Sequence, residues 1–305
     1  MNSAIRDRSA DRSTPEQVLK RVDWQVVRRL DGILQGDYRG LFYGSGLDFA
    51  DLREYQPEDD VRSIDWNVTA RMNTPYVRQY IEDREVSAWF LLDLSPSMAF
   101  GAREQGKQSV LVDFVAALGH LLSRSGNRVG AIFFNNGTEL TIPPVSGRAQ
   151  ILRIIGDLQS REPSTRGAMT DLTPLLQHFS STVKRRSLVF LVSDFICEPG
   201  WSRYLSWLSR RHELVPVRLW DPREVELPNV GYLLVEDSET GEQFYVDTGD
   251  RKFRQRFNDA AKLREQDLRD NFKRAGVSHM SLSTEEDLVG AILRFVAIRK
   301  RMLNR

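Results

Sequence analysis

Five oxygen-bearing side chains stand out by type and spacing. Asp93, Ser95 and Ser97 occupy alternate positions of one short run, Asp93-Leu94-Ser95-Pro96-Ser97, directly after the apolar residues AWFLL. Asp194 ends a second apolar run, SLVFLVSD, about a hundred residues later. Between them, Thr170 sits in GAMTDL (167–172), a turn entering a helix. Alternation places Asp93, Ser95 and Ser97 on the same side of their loop. Two carboxylates and three hydroxyls, without Cys or His, are the donor set of a hard cation. Mg²⁺ (or Mn²⁺) takes octahedral oxygen coordination and retains waters, so such a site stays partly open.

Positioning these residues requires two strands that end side by side, and the hydropathy pattern supplies them. Residues 86–93 and 187–194 read as buried strands, each ending at an Asp. Helices are expected at 106–125, 147–160, 170–183 and 201–211, and strands at 128–134, 138–142 and 213–220. The two strands at 128–142 join through Asn135-Asn136-Gly137, a hairpin signal. A β-hairpin follows near 231–248, then a charged helix over 250–275 ended by Gly276, and a strand at 277–282. The last helix is expected from the box Ser283-x-x-Glu286, with Leu288, Ile292, Phe295, Val296 and Met302 inward. Apolar strands alternating with helices predict an α/β fold: a doubly wound, mostly parallel sheet with helices on both faces. Ligands of such sheets sit beyond the carboxyl ends of the strands, where strand order reverses.

Ahead of this main domain (86–305) lie two other segments. Residues 1–13 are polar, aperiodic and expected to be disordered. Residues 14–85 read as a helix and short strands packed on the main domain. Thr14-Pro15-Glu16-Gln17 opens the helix, with Leu19, Val22, Val26, Leu30 and Ile33 on one face. Residues 37–85 lack helical periodicity, and Tyr55 and Trp66 are expected to anchor them apolarly.

Composition narrows the function classes. The chain has 305 residues and a net charge of +1, which argues against a dedicated nucleic-acid binder. The +1 is a cancellation: residues 1–85 carry −3, 86–248 carry −2 and 249–305 carry +6. The basic end reads as a solvated helix face, with an acidic partner as the alternative. Seven acidic groups between Asp48 and Asp65 read as a salt-bridged turn region, with partner docking or a second cation site as the alternatives. No apolar run approaches the ~18 residues of a membrane helix, and no secretory h-region is visible. A cytoplasmic chain without membrane contact is expected.

Other motifs carry less. Cys197 is the single cysteine, with no base beside it. His120 and His178 lie in expected helices and read as packing residues. Gly101 to Lys107 matches GxxxxGK, but Gln108 stands where a P-loop has Ser or Thr. An aspartyl-nucleophile phosphatase would need a second acid where Ser95 stands.

Together, DLSPS, Thr170 and Asp194 resemble the metal-ion-dependent adhesion site of von Willebrand factor A domains. The resemblance implies hydroxyl ligation by Ser95, Ser97 and Thr170, with Asp93 and Asp194 bound directly or through water. Pro96 stands where the wider family often has Gly. The run from Asp48 to Arg84 (DFADLREYQPEDDVRSIDWNVTARMNTPYVRQYIEDR) resembles the bacterial domain of unknown function 58 family, in its short subgroup without N-terminal membrane helices. That likeness implies a von Willebrand factor A-like domain and association with a MoxR-type AAA+ ATPase or its client. The expected function is a non-enzymatic, metal-dependent protein-interaction module in chaperone-like assembly or activation, completed by a partner's carboxylate. The alternatives are a Mg-dependent hydrolase at the same site, or a structural module with a vestigial one. The oligomeric state is left open.

Overall fold

Strands rich in Val, Leu, Ile and Phe, buried on both faces, form the central sheet of the computed structural model. It describes residues 13–22, 51–57, 59–61, 64–72, 74–79, 87–101, 106–135, 137–161, 169–237 and 240–303. The sheet contains β3 (Ser87–Asp93), β4 (Arg128–Phe134), β5 (Thr138–Val145), β6 (Leu188–Ser193), β7 (Glu213–Trp220) and β10 (Met280–Ser283). Their order is β10-β7-β6-β3-β4-β5. All neighbours are parallel except β4 and β5, which form the hairpin expected through Gly137. Strand order runs outward in both directions from β3, so the switch point lies between β3 and β6. This is the doubly wound, von Willebrand factor A-like architecture expected from the sequence.

Residue alternation in β3 divides the core. Ala88, Phe90 and Leu92 face one layer, with α1 (Pro15–Val22), α3 (Lys107–Arg124), α4 (Arg148–Ser160) and α8 (Leu288–Leu303). Trp89 and Leu91 face the other, with α5 (Thr173–Thr182), α6 (Trp201–Ser209) and α7 (Arg251–Ala275). Phe90 stacks on Phe190 at 5.3 Å, and Phe114 meets both edge-on. Each such ring contributes about 1.5–3 kcal/mol by leaving water, so both strands are held rigidly up to their last residues.

The expected helix cap at Thr14 is present. Gln17 N donates to Thr14 Oγ1 at 3.3 Å, and Thr14 N donates to Gln17 Oε1 at 2.7 Å. Val18, Leu19 and Val22 are buried; Val26, Leu30 and Ile33 lie outside the described residues, as do all of 1–13 but Ser13, with Asp48 and Glu58. Strand β1 (Asp51–Glu54) pairs antiparallel with β2 (Tyr76–Gln79). Between them stands α2 (Trp66–Met72), where only strands and turns were expected. Asp65 nucleates it, accepting Thr69 N on its carbonyl and Val68 N on its carboxylate. Trp66 is 66% exposed, so it is not the apolar anchor expected.

The hairpin is β8 (Tyr232–Glu236) and β9 (Gln243–Asp247). Gly276 ends α7 in the left-handed conformation, φ 68°, as the sequence implied. The last helix differs. Ser283 closes β10, and Asp287 caps α8, accepting Gly290 N at 3.1 Å. Glu286 instead pairs with Arg294. In the basic end, Arg299 is buried and paired with Glu213 rather than solvated. Among the described residues, no helix is long and apolar enough to cross a membrane.

Candidate metal centre

The rigid end of β3 delivers Asp93, which is 1% exposed. The chain leaves the sheet after Leu94, whose N–H donates to the Phe134 carbonyl at 2.8 Å. Ser95 N then donates to Asp93 Oδ1 at 2.9 Å, turning the backbone over its own carboxylate, a turn Asp favours. Pro96 begins a short 3₁₀ helix, Pro96–Ala99, where its fixed φ and missing N–H cost nothing. This turn brings Ser95 Oγ within 3.1 Å of Ser97 Oγ. Both hydroxyls are buried.

The neighbouring strand delivers Ser193 and Asp194. Ser193 Oγ donates to Asp93 Oδ2 at 2.6 Å and accepts Phe195 N at 2.8 Å. One hydroxyl therefore ties the two strand ends together. Asp194 Oδ1 accepts Ile196 N at 3.0 Å. Phe195 has a φ of 58°, the single positive value outside glycine among the described residues. A left-handed conformation costs a bulky residue about 1–2 kcal/mol. Its ring is held by Trp201 at 5.2 Å and Phe272 at 5.1 Å, which keeps the turn after Asp194 in place.

Thr170 is fully buried beside this turn, its carbonyl accepting Glu198 N at 2.8 Å. Gly167 and Ala168 lie outside the described residues. Asp171 accepts Thr173 N at 2.8 Å and so caps the start of α5. The structure thus links Asp93, Ser95 and Ser97 directly, and joins them to the Asp194 turn through Ser193. It places Thr170 against that turn through the backbone. All five candidate residues are at most 3% exposed.

Three participants escaped the sequence reading. Ser193 is one. The others are Lys107 and Glu224: the Lys107 ammonium lies 2.6 Å from Asp194 Oδ2 and 2.5 Å from Glu224 Oε1, fully buried. For the last two a signal existed. Lys107 opens α3, where the macrodipole disfavours a cation, so it needs partners elsewhere. Glu224 completes a capping box with Asp221 just after β7, at the same edge of the sheet.

Burial and the nearby negative charge of Asp194 push Asp93 up to about 6. For Lys107, burial pulls downward, but Asp194 and Glu224 outweigh it and the net shift is upward. Burial pushes the Cys197 thiol up, and the surrounding carboxylates add to this, which leaves it without thiolate chemistry at neutral pH.

A pair of buried acidic strand ends lined by hydroxyls fits a hard cation. Among the described residues, no three His, Cys, Asp or Glu side chains gather as a metal-binding group. An ion at this place would therefore depend on the Ser and Thr hydroxyls and on water as much as on carboxylates.

A family model described as "Protein of unknown function DUF58" matches residues 51–267. An uncharacterized protein of Mycobacterium tuberculosis is 35% identical over 285 residues, covering 93% of this chain and 89% of its own. An uncharacterized protein of Mycobacterium bovis matches to the same extent. Among solved structures, the conserved hypothetical protein BatB of Bacteroides thetaiotaomicron aligns over 71% of this chain and 99% of its own. Its identity is 15% and its TM-score 0.45. Proximal thread matrix protein 1 of the mussel byssus, solved with a zinc-occupied MIDAS motif, aligns over 44% of this chain and 38% of its own, with 19% identity and TM-score 0.36.

Proposed function

The chain belongs to the DUF58 family, whose function is unknown, and on that premise we propose that it is a divalent-metal-dependent protein-interaction module. The observation that carries this reading is the juncture of the two acidic strand ends at the switch point of the sheet. Ser193 Oγ joins Asp93 to the Asp194 turn, and Ser95 and Ser97 present paired hydroxyls beside them. Asp93, Ser95, Ser97, Thr170 and Asp194 would hold Mg²⁺ or Mn²⁺, which would offer an open position to a carboxylate from another protein.

The chain's own part is orientation and exclusion of water. Backbone donors from Ser95 and Ile196 fix one oxygen of each Asp, leaving little rotation to lose when a cation binds. The partner proposed, on family resemblance alone, is a MoxR-type AAA+ ATPase or its client, in the cytoplasm, and the proposed role is assembly or activation. The hydrolase alternative has less support: the buried Lys107 is committed to two carboxylates.

The test is calorimetry with Mn²⁺ on the native chain and on Asp93→Ala/Ser95→Ala, followed by capture of the ATPase with and without chelator. Binding by the native chain alone supports the site. Equal affinity in both proteins removes it. Capture that ignores both the substitutions and the chelator removes the metal-bridged docking.

A further inference from the structure

Lys107 is an unusual charge among the described residues. It is fully buried, yet it opens α3, at the end of a helix that repels cations. An ammonium out of water is tolerated only with close partners. It has two, Asp194 Oδ2 at 2.6 Å and Glu224 Oε1 at 2.5 Å. The Phe100 ring, 5.7 Å away, covers it further.

The choice of oxygen matters. Asp194 Oδ1 is already engaged by Ile196 N. Oδ2 carries the lysine, so a divalent ion that takes this oxygen competes with the ammonium for it. A divalent ion approaching that carboxylate meets a like charge within a few ångströms. Glu224 gives the lysine a second place to rest. Its other oxygen, Oε2, accepts Asp221 N at 3.2 Å, so the glutamate stays fixed whether or not the ammonium leans toward Asp194.

We propose that Lys107 is a resident counter-ion of this site: it holds Asp194 when no metal is present and competes with a divalent ion for that carboxylate. This rests on the metal reading above and deepens it. Lys107 is a positioning residue that lowers ion affinity while keeping the ion-free site folded. Occupancy then depends on an added ligand, such as a partner's carboxylate, rather than on the ion alone.

The charge balance provides a clean test. Asp93, Asp194 and Glu224 with Lys107 carry a formal −2. Lys107→Met/Glu224→Gln also leaves −2, from Asp93 and Asp194, but frees Oδ2. Mn²⁺ titrations followed by calorimetry would compare native protein, Lys107→Met and this double variant. Thermal unfolding with and without EDTA would accompany them. Both variants should bind Mn²⁺ tighter by about tenfold to a hundredfold, the worth of one hydrogen bond to a charged group. With Mn²⁺ present, their melting temperatures should fall further on adding EDTA than that of the native protein. Damage to a merely structural lysine would weaken ion binding, and because the double variant keeps the native −2, its tighter binding is specific to competition.

If Lys107→Met does not fold, the double variant decides, because it strands no unpaired third carboxylate. Equal or weaker binding in the folded variants overturns the competition while leaving the metal reading intact, provided native protein binds and Asp93→Ala/Ser95→Ala does not. Absence of Mn²⁺ binding by the native protein and both variants overturns the metal reading and this inference together.

Discussion

Ser193→Ala removes a single hydroxyl that serves two strand ends. Its donation to Asp93 Oδ2 is 2.6 Å long, and it accepts Phe195 N at 2.8 Å. Ser193 is fully buried and Asp93 is 1% exposed, so water does not replace the lost group without disturbing the packing. A hydrogen bond to a charged group contributes about 1.5–3 kcal/mol, and a stranded buried amide adds about 1 kcal/mol more. The substitution should therefore cost about 3 kcal/mol, or about 5 °C in melting temperature for a chain of this size. Urea unfolding at pH 7.5 in EDTA, followed by circular dichroism, measures it. A double-mutant cycle with Asp93→Asn isolates the pair, and the coupling should exceed about 1 kcal/mol. A loss below about 0.5 kcal/mol, or additive effects in the cycle, would refute the idea that this hydroxyl joins the two ends.

Further outcomes follow from other sites. His212 is 3% exposed, with both ring nitrogens unpartnered and its ring 5.0 Å from Phe179; burial, then Arg211 and Arg186, lower its pKa from 6.5 to about 4. The unfolded chain takes up that proton first, so this contribution is complete above pH 6.5 and is lost as pH falls toward 4. It amounts to about 3 kcal/mol, and His212→Phe should flatten that slope in urea titrations at pH 7.5 and 4.5; parallel curves would contradict it. A Cβ on Gly130 would lie 2.8 Å from the Ile142 carbonyl and 3.0 Å from Pro144 N, so Gly130→Ala should destabilise by about 1–3 kcal/mol, read as a lower urea midpoint. Asp287→Ala should cost about 1 kcal/mol through loss of the α8 cap, whereas Ser283→Ala, at the start expected from sequence, should cost less in the same assay.

What was legible in the sequence depended on how local each signal was. Asp93, Ser95 and Ser97 lie within five residues, and their run follows a strand whose apolar pattern is continuous. Asp194 was visible because it too ends such a strand. Lys107 was hidden because its partners are 87 and 117 residues away along the chain, and its neighbours suggested a phosphate loop instead. Ser193 went unnoticed for a different reason: a serine closing a strand is ordinary until its hydroxyl is seen on Asp93. The short helix α2 has seven residues and no apolar stripe, so its start depends on Asp65 rather than on periodicity. At Ser283 the capping-box pattern was present, but β10 claimed the serine first.

The strand order has a consequence for biosynthesis. Strands β3 and β6 are hydrogen-bonded neighbours, with Leu92 opposite Val192, although about a hundred residues separate them. Closing a loop of that length costs entropy before any pairing contact rewards it, so such contacts form late. A chain emerging from the ribosome can build the Asp93 turn, α3 and the β4–β5 hairpin with no acidic partner opposite. Both Asp93 and Lys107 then wait for the second half of the sheet. The completed centre is thereby a signature of a finished fold, and a partner that reads it would discriminate mature copies from nascent ones.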